Sequence, residues 1–149
     1  MEIRLSVYTV LILSFSFLMN ACKSDDDIIL CFTPPGAVVF EFIDGDGINL
    51  IENGVLKTSE IKIKDITNPD NPKNSTFTLR EDYKIIINEA GWFNGTKDFS
   101  FESPAVDFEF TVISHELTGN CGGYKIDNII FHGITYTLGE YDVYRFIIN

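Results

Sequence analysis

The two histidines are the residues of this 149-residue chain best suited to metal binding or proton transfer. His115 follows Ser114 near the end of a predicted strand, and His132 lies near the end of another. Together with Cys121 they would supply three ligand atoms if the two strands pair. Known zinc sites contain closely spaced ligand pairs, such as Cys-x-x-Cys or His-x-x-x-His, and the sequence has none. The sequence therefore predicts two surface or hydrogen-bonded histidines, no metal and no other cofactor.

Ser114 and His115 are also the nearest approach to a nucleophile with its base. Consecutive side chains of a strand point to opposite faces of a sheet, so these two cannot pair directly. The sequence has no Gly-x-Ser-x-Gly motif and no glycine-rich phosphate loop. Carboxylates are too numerous in so acidic a chain for a glycosidase pair to be identified. We predict that the protein is not an enzyme, with a hydrolase as the alternative.

Asp44 and Asp46 are spaced like the first two ligands of a calcium-binding loop. However, Ile48 stands where the third ligand belongs, and Val55 stands where such a loop ends in glutamate. The segment Asp44-Gly45-Asp46-Gly47 is rich in residues that tolerate positive φ. A plain turn is therefore favoured over a weak, partly hydrated calcium site.

The single tryptophan, Trp92, lies beside Phe93 in a glycine-containing loop. Aromatic rings on a loop can stack on sugars or anchor a protein partner. Asn94 and Asp98 are close enough in sequence to add polar contacts. These four residues are the candidate ligand-binding residues. The alternative is that Trp92 folds back as a lid over one end of the domain, since large aromatic residues are mostly buried.

The elements that position these residues are predicted strands, because apolar and polar residues alternate along most of the chain. The clearest strand runs from Val106 to Val112. Between Tyr124 and Phe131 the alternation slips at Asp127-Asn128, which predicts a bulge. The segments Ile134 to Leu138 and Tyr141 to Ile148 predict a closing hairpin. Tyr136, Tyr141 and Tyr144 fall within these last strands, which predicts that they pack rather than bind ligand.

No segment shows a convincing helical period. About eight short strands separated by turns predict an all-β protein, an antiparallel β-sandwich that is broadly immunoglobulin-like, rather than a barrel.

The N-terminal residues differ in character from the predicted strands. Arg4 precedes an uncharged, apolar run from Leu5 to Ala21, and Cys22 follows directly. This order is typical of a secretory signal peptide, and the cysteine makes it resemble a bacterial lipoprotein signal. The usual lipoprotein box has Leu, Val or Ile three residues before the cysteine, where this chain has Met19 preceded by Leu18.

The resemblance implies a signal peptide at residues 1–21, an acylated Cys22 at the head of a tether (22–33), and a domain at residues 34–149. One acyl chain binds a membrane weakly, whereas two or three hold it durably. The alternatives are an uncleaved transmembrane helix, for which the run is at the short end of the required length, and a core helix of the domain.

Residues 23–27, Lys-Ser-Asp-Asp-Asp, resemble the acidic signal that sends lipoproteins of Bacteroidota to the cell surface. The alternative is a solvated spacer and a periplasm-facing location. The rest of the chain resembles small β-rich surface lipoproteins of Bacteroidota, through Thr33-Pro34-Pro35 and the Phe-rich segment Val38 to Phe42. The resemblance implies an outer-membrane location, no assigned activity and no functional residue.

With Cys22 acylated, Cys31 and Cys121 remain as a pair in a compartment where disulfides form. Closing a loop of about 90 residues would stabilise the fold by about 4–5 kcal/mol on the chain-entropy model. The alternative is two free, buried thiols. The net charge of −11 disfavours nucleic acid as a partner, because phosphate backbones are bound through Lys and Arg.

The expected function is that of a non-enzymatic binding or accessory module at the cell envelope, held to the membrane by lipid on Cys22. Its ligand would be a glycan or another envelope protein. An exposed Trp92 beside a concave polar groove would favour this function. A flat apolar sheet face without a pocket would favour a structural or interaction subunit. Two carboxylates about 5–10 Å apart in a cleft would favour the hydrolase.

Overall fold

The computed structural model of the protein describes residues 31–119 and 121–149. The predicted signal peptide at 1–21, the predicted lipid site at Cys22 and the tether up to residue 30 lie outside the described residues. Within them, the regular structure consists of eleven β-strands and two three-residue 3₁₀ turns. The predicted all-β sandwich is confirmed. Strands outnumber the expected eight because several segments of only three residues also pair with neighbours.

The eleven strands form two sheets. In chain order they are β1 (Cys31–Thr33), β2 (Val38–Ile43), β3 (Lys62–Asp65), β4 (Lys73–Ser75), β5 (Phe77–Leu79), β6 (Ile85–Ile87), β7 (Gly95–Glu102), β8 (Asp107–Leu117), β9 (Cys121–His132), β10 (Tyr136–Leu138) and β11 (Val143–Ile147). The six-stranded sheet has the order β1-β9-β8-β7-β3-β4, and the five-stranded sheet has the order β10-β11-β2-β6-β5.

Alternation along the central strands creates the core between the sheets. In β8 the apolar residues Phe108, Phe110 and Val112 are buried, while Asp107 and Glu109 are exposed. Burying a phenylalanine ring contributes about 1.5–3 kcal/mol, so a phenylalanine-rich core suffices to hold two sheets together. Seven phenylalanines are buried in this way: Phe40, Phe42, Phe99, Phe101, Phe108, Phe110 and Phe146.

Two strand pairs are parallel, so the prediction of purely antiparallel sheets is not confirmed, nor is the immunoglobulin-like arrangement. β1 lies parallel to β9, and the last strand, β11, returns beside β2 in parallel orientation. All other pairs are antiparallel, including the predicted closing hairpin of β10 and β11. Alternation identifies which side chains face the core, but it contains no information about the direction of the neighbouring strand.

The predicted bulge in β9 is confirmed. The register between β8 and β9 shifts at Ile113/Ser114, which lie opposite Asn128 and Ile126, so Asp127 is the extra residue.

The predicted disulfide is also confirmed, because Cys31 is bonded to Cys121 across 90 residues of chain. The bond joins β1 to β9, so residues 31–33, which the sequence assigned to the tether, form a strand of the domain. Gly123 permits this close approach: a Cβ at this position would lie 2.0 Å from the carbonyl oxygen of Thr33. The pairing ends at Pro34 and Pro35, which have no amide hydrogen to donate.

Candidate functional site

Trp92 lies at one end of the sandwich, where it packs against two other rings. Its indole stacks on Phe32 with a centroid distance of 5.7 Å and an interplanar angle of 14°, and Tyr124 lies at 6.3 Å. We call Phe32, Trp92 and Tyr124 the aromatic cap. The side chain of Trp92 is nevertheless 48% exposed. Trp92 therefore folds back onto the domain, as the lid interpretation expects, and still presents about half of its surface to solvent.

The other predicted ligand-binding residues do not join Trp92 in one site. Phe93 is half-buried against Phe99, and its carbonyl oxygen accepts a hydrogen bond from the buried Ser114 hydroxyl. Asn94 is exposed in the loop. Asp98 points to the outer face of the six-stranded sheet, where Thr111 Oγ1 donates to its carboxylate at 2.6 Å. The structure thus separates the four residues between the loop, the core and a sheet face.

Both histidines are hydrogen-bonded at the surface, as the sequence predicts. His132 Nε2 lies 3.0 Å from the Thr111 hydroxyl, and His115 Nδ1 lies 2.7 Å from a carboxylate oxygen of Asp127. Cys121, the third candidate metal ligand, is in the disulfide. Within residues 31–119 and 121–149, no group of three or more His, Cys, Asp or Glu residues is arranged to hold a metal ion.

The predicted turn at Asp44 is confirmed. A carboxylate oxygen of Asp44 accepts hydrogen bonds from the backbone amides of Asp46 and Ile48, at 3.0 and 2.9 Å. The side chain therefore closes the turn that contains it.

A concave surface with several charged groups lies on the outer face of the five-stranded sheet. It has a volume of about 840 Å³. Glu41 of β2 and Arg145 of β11 lie at its floor, because they alternate with buried phenylalanines on adjacent strands. The turn between β5 and β6 and the turn between β10 and β11 form its walls. We call this surface the Tyr141 cleft, and its main side chains are Glu41, Arg80, Asp82, Lys84, Tyr141 and Arg145.

A continuous network of ion pairs crosses the Tyr141 cleft. Arg145 Nε donates to Glu41 Oε2 at 2.7 Å, and Lys84 Nζ lies 3.7 Å from Glu41 Oε1. The same ammonium group donates to Asp82 Oδ2 at 2.8 Å. Arg80 Nε lies 3.1 Å from Asp82 Oδ1. Each of the four carboxylate oxygens therefore already contacts a cation.

Glu41 and Asp82 are two carboxylates of the cleft that both contact Lys84, so they are the pair to consider for a hydrolase. A glycosidase pair, however, needs one carboxyl group with a raised pKa to act as the acid. The hydrogen bond from Lys84, with further attraction from Lys84 and Arg80, lowers the pKa of Asp82 below its ordinary value of 3.8. Asp82 is therefore ionised at neutral pH and is better suited to hold cations than to donate a proton.

Tyr141 stands at the mouth of the cleft with its side chain 92% exposed. It lies in the turn Glu140–Asp142, with φ 58° and ψ 38°, and Asp142 also has a positive φ of 57°. Left-handed backbone costs a residue with a Cβ about 1–2 kcal/mol. The turn therefore holds an aromatic ring in water at a conformational cost.

The prediction that Tyr141 packs within a strand is wrong, because the chain turns before β11 begins at Val143. The same prediction is confirmed for Tyr136 and Tyr144, whose rings lie 5.6 Å apart and both contact Phe131. One signal in the sequence separates them: Tyr141 lies an odd number of residues from Tyr144, so the two cannot share a strand face.

The chain matches no known protein family, no curated protein and no solved structure. In the part of the chain that the structure describes, no helix is both long and apolar enough to cross a bilayer.

Proposed function

We propose that the chain is a lipid-anchored, exported β-sandwich that acts as a non-enzymatic binding module at the cell envelope, with a glycan bound in the Tyr141 cleft. The observation that supports this proposal is Tyr141 itself. Its ring is 92% exposed, and its backbone is left-handed. Residues held in sparsely populated backbone conformations are concentrated at functional sites, because the strain serves binding rather than packing.

The chemistry of the cleft matches that of a sugar. A pyranose ring has an apolar C–H face that packs on an aromatic ring, and a rim of hydroxyls that both donate and accept hydrogen bonds. Tyr141 supplies the ring, while Arg80, Asp82 and Arg145 supply planar polar groups beside it. A concave surface with a few convergent polar groups is the usual form of a small-ligand site.

An envelope protein is the alternative ligand, and the aromatic cap is the alternative surface. Trp92 is half exposed beside Phe32, which is 54% exposed, so the pair could anchor a protein partner. The cleft is favoured because the Trp92 ring already packs against two aromatic neighbours, whereas the Tyr141 ring is almost entirely solvent-exposed. The remaining alternative is a structural subunit without a ligand, which a flat, apolar face would favour.

The location is proposed from the leader sequence. Cys22 would be acylated after removal of residues 1–21, and the aspartates at 25–27 would direct the protein to the outer face of the outer membrane. Mass spectrometry of the protein from its native membrane tests the anchor, and an unmodified thiol on Cys22 would contradict it. Protease treatment of intact cells tests the leaflet, since a periplasm-facing domain would be protected.

The binding proposal is tested with a glycan array and a panel of envelope proteins, using the full chain purified in a zwitterionic detergent. Tyr141→Ala is expected to weaken binding of the selected glycan by about tenfold. Tyr83→Ala is the matched control, because Tyr83 is also an exposed tyrosine with positive φ but does not line the cleft. Trp92→Ala tests the aromatic cap.

Loss of binding in Tyr141→Ala, with near-normal binding in both other variants, would support the cleft. Equal binding by wild type and Tyr141→Ala would overturn it. Loss only in Trp92→Ala would transfer the function to the aromatic cap.

A further inference from the structure

Three basic and three acidic residues line the Tyr141 cleft, but the ion-pair network within it contains more basic than acidic groups. Acidic residues outnumber basic ones by 22 to 11 over the sequence. Three of those eleven, Arg80, Lys84 and Arg145, line this one cleft. The ion-pair network that joins them contains only two carboxylates, Glu41 and Asp82. One positive charge in the network is therefore unmatched.

The network also has more hydrogen-bond donors than acceptors free to contact a ligand. Every carboxylate oxygen of Glu41 and Asp82 has a cationic neighbour. A guanidinium group has five N–H donors. Arg145 donates to Glu41 through Nε, and Arg80 Nε lies 3.1 Å from Asp82 Oδ1, so each pairing is described by one of the five donors. The groups with unused capacity at this surface are therefore donors with positive charge.

Accessibility favours the same groups. The side chain of Glu41 is only 12% exposed, whereas those of Arg145 and Arg80 are each 43% exposed. Asp82 is 40% exposed, but both of its carboxylate oxygens already contact cations. Arg145 Nη2 lies 3.9 Å from the position that a Cβ on Gly139 would occupy, so this glycine leaves space beside the guanidinium. Glu140 is exposed at the rim and forms no ion pair within residues 31–119 and 121–149.

We infer that the Tyr141 cleft binds an acidic saccharide, one whose sugar carries a carboxylate, with the carboxylate on Arg80 and Arg145 and the sugar face on Tyr141. This inference rests on the proposed function and specifies its ligand. A planar carboxylate matches the fork of a guanidinium group, which is why arginine rather than lysine recognises it. One carboxylate of the ligand, held in the cleft, compensates the single unmatched positive charge of the network.

The test compares a galacturonic acid tetrasaccharide with the same tetrasaccharide after methyl esterification, which removes the negative charges and adds one methyl group to each carboxyl group. Binding is measured with the full chain in a zwitterionic detergent, at low and high salt. The acid is expected to bind at least about tenfold more tightly than the ester at low salt. This advantage should shrink as salt is raised, because salt screens exposed charges.

Arg80→Gln is the informative variant, because Asp82 keeps its hydrogen bond from Lys84 and is not left without a cation. It should weaken binding of the acid about tenfold and binding of the ester clearly less, because the ester loses only a hydrogen bond to a neutral group. Lys57→Gln is the matched control, since it removes an exposed, ion-paired cation outside the cleft and changes the net charge equally. It should change neither probe's affinity by more than about twofold.

Equal affinity for acid and ester, or an equal effect of Arg80→Gln and Lys57→Gln on the acid, would overturn the inference. If the glycan array yields a neutral ligand and the uronate does not bind, the inference fails and the proposed function stands. If neither the array nor the two probes show any binding, both fail. Tighter binding of a sulfated tetrasaccharide than of the uronate would also contradict a site built for a carboxylate.

Discussion

The aromatic cap and the Tyr141 cleft both present a large ring to solvent, but the two rings are held in opposite ways. Trp92 is 48% exposed and is held by side-chain contacts with Phe32 and Tyr124. Tyr141 is 92% exposed and is held by the backbone of its turn. A ring held by contacts stabilises the fold, whereas a ring held by a strained turn opposes it slightly. Exposure alone therefore does not distinguish the roles of the two rings, whereas the contacts or backbone that hold each ring do.

The largest expected effect concerns the support of the cap. Replacing both cysteines, Cys31→Ser with Cys121→Ser, should lower the free energy of unfolding by about 2–5 kcal/mol. It should also release β1, so Phe32 would leave Trp92. Denaturant unfolding followed by the fluorescence of Trp92, the single tryptophan, reports both changes. An unchanged midpoint and emission spectrum would contradict the role of the bond.

The same double variant should bind ligand at the Tyr141 cleft normally, because the cleft is built on the other sheet. A parallel loss of binding and of cap structure would show that the two regions are not independent.

A middle-sized effect distinguishes the two rings directly. Trp92→Ala should destabilise the protein by about 1–3 kcal/mol, less than for a fully buried ring. Tyr141→Gly should instead stabilise it by about 1 kcal/mol, because glycine adopts a left-handed backbone without steric cost. Thermal or denaturant unfolding of both variants checks the comparison. Destabilisation by Tyr141→Gly of the same size as by Trp92→Ala would remove the distinction.

The smallest effect is on acid stability, and it also differs between the regions. At the end of β3, in the six-stranded sheet, burial works against ionisation of Asp65, but hydrogen bonds from Lys97 and Thr67 outweigh it and lower the pKa of Asp65 below 3.8. In the cleft, the Lys84 hydrogen bond lowers the pKa of Asp82. A carboxyl whose pKa is lowered on folding stabilises the protein above its unfolded pKa, and this stability disappears as pH falls through the folded pKa.

We therefore expect stability to fall with acidification below about pH 4. Asp65→Asn should flatten the profile more than Asp82→Asn, since the Asp65 side chain is 14% exposed and that of Asp82 is 40% exposed. Both variants should differ from wild type at pH 6 and converge with it near pH 2. Urea unfolding at several pH values measures this, and a wild-type profile in Asp65→Asn would contradict the assignment.

Much of the fold was predictable because it depends on local pattern. Alternation in β8 identifies the buried residues Phe108 and Phe110, and its slip in β9 locates the bulge at Asp127. The pairing of Cys31 with Cys121 followed once Cys22 was assigned to lipid. These predictions require only the pattern of residues that are close in sequence, or the number of cysteines in the chain.

The Tyr141 cleft was not predictable in this way. Glu41, the segment 80–84 and the segment 138–145 meet only because β11 returns parallel to β2, and alternation does not specify that return. The turn that removes Tyr141 from its strand depends on positive φ at two consecutive residues that are not glycine. Sequence analysis instead emphasised Trp92, the rarest residue type, whose partner Phe32 lay in the presumed tether.

With the proposed lipid anchor at Cys22, the disulfide would have a mechanical consequence for the domain. β1 is only three residues long, and its hydrogen bonds alone would open readily under tension. Cys31 is the first residue of β1 and is bonded to Cys121 of β9. A tensile force applied to the backbone at Cys31 would therefore be transmitted to β9 through the disulfide bond. β9 spans twelve residues and pairs along its length with β8. The force would therefore be distributed over many β8–β9 hydrogen bonds and would not break the few bonds of β1 one after another.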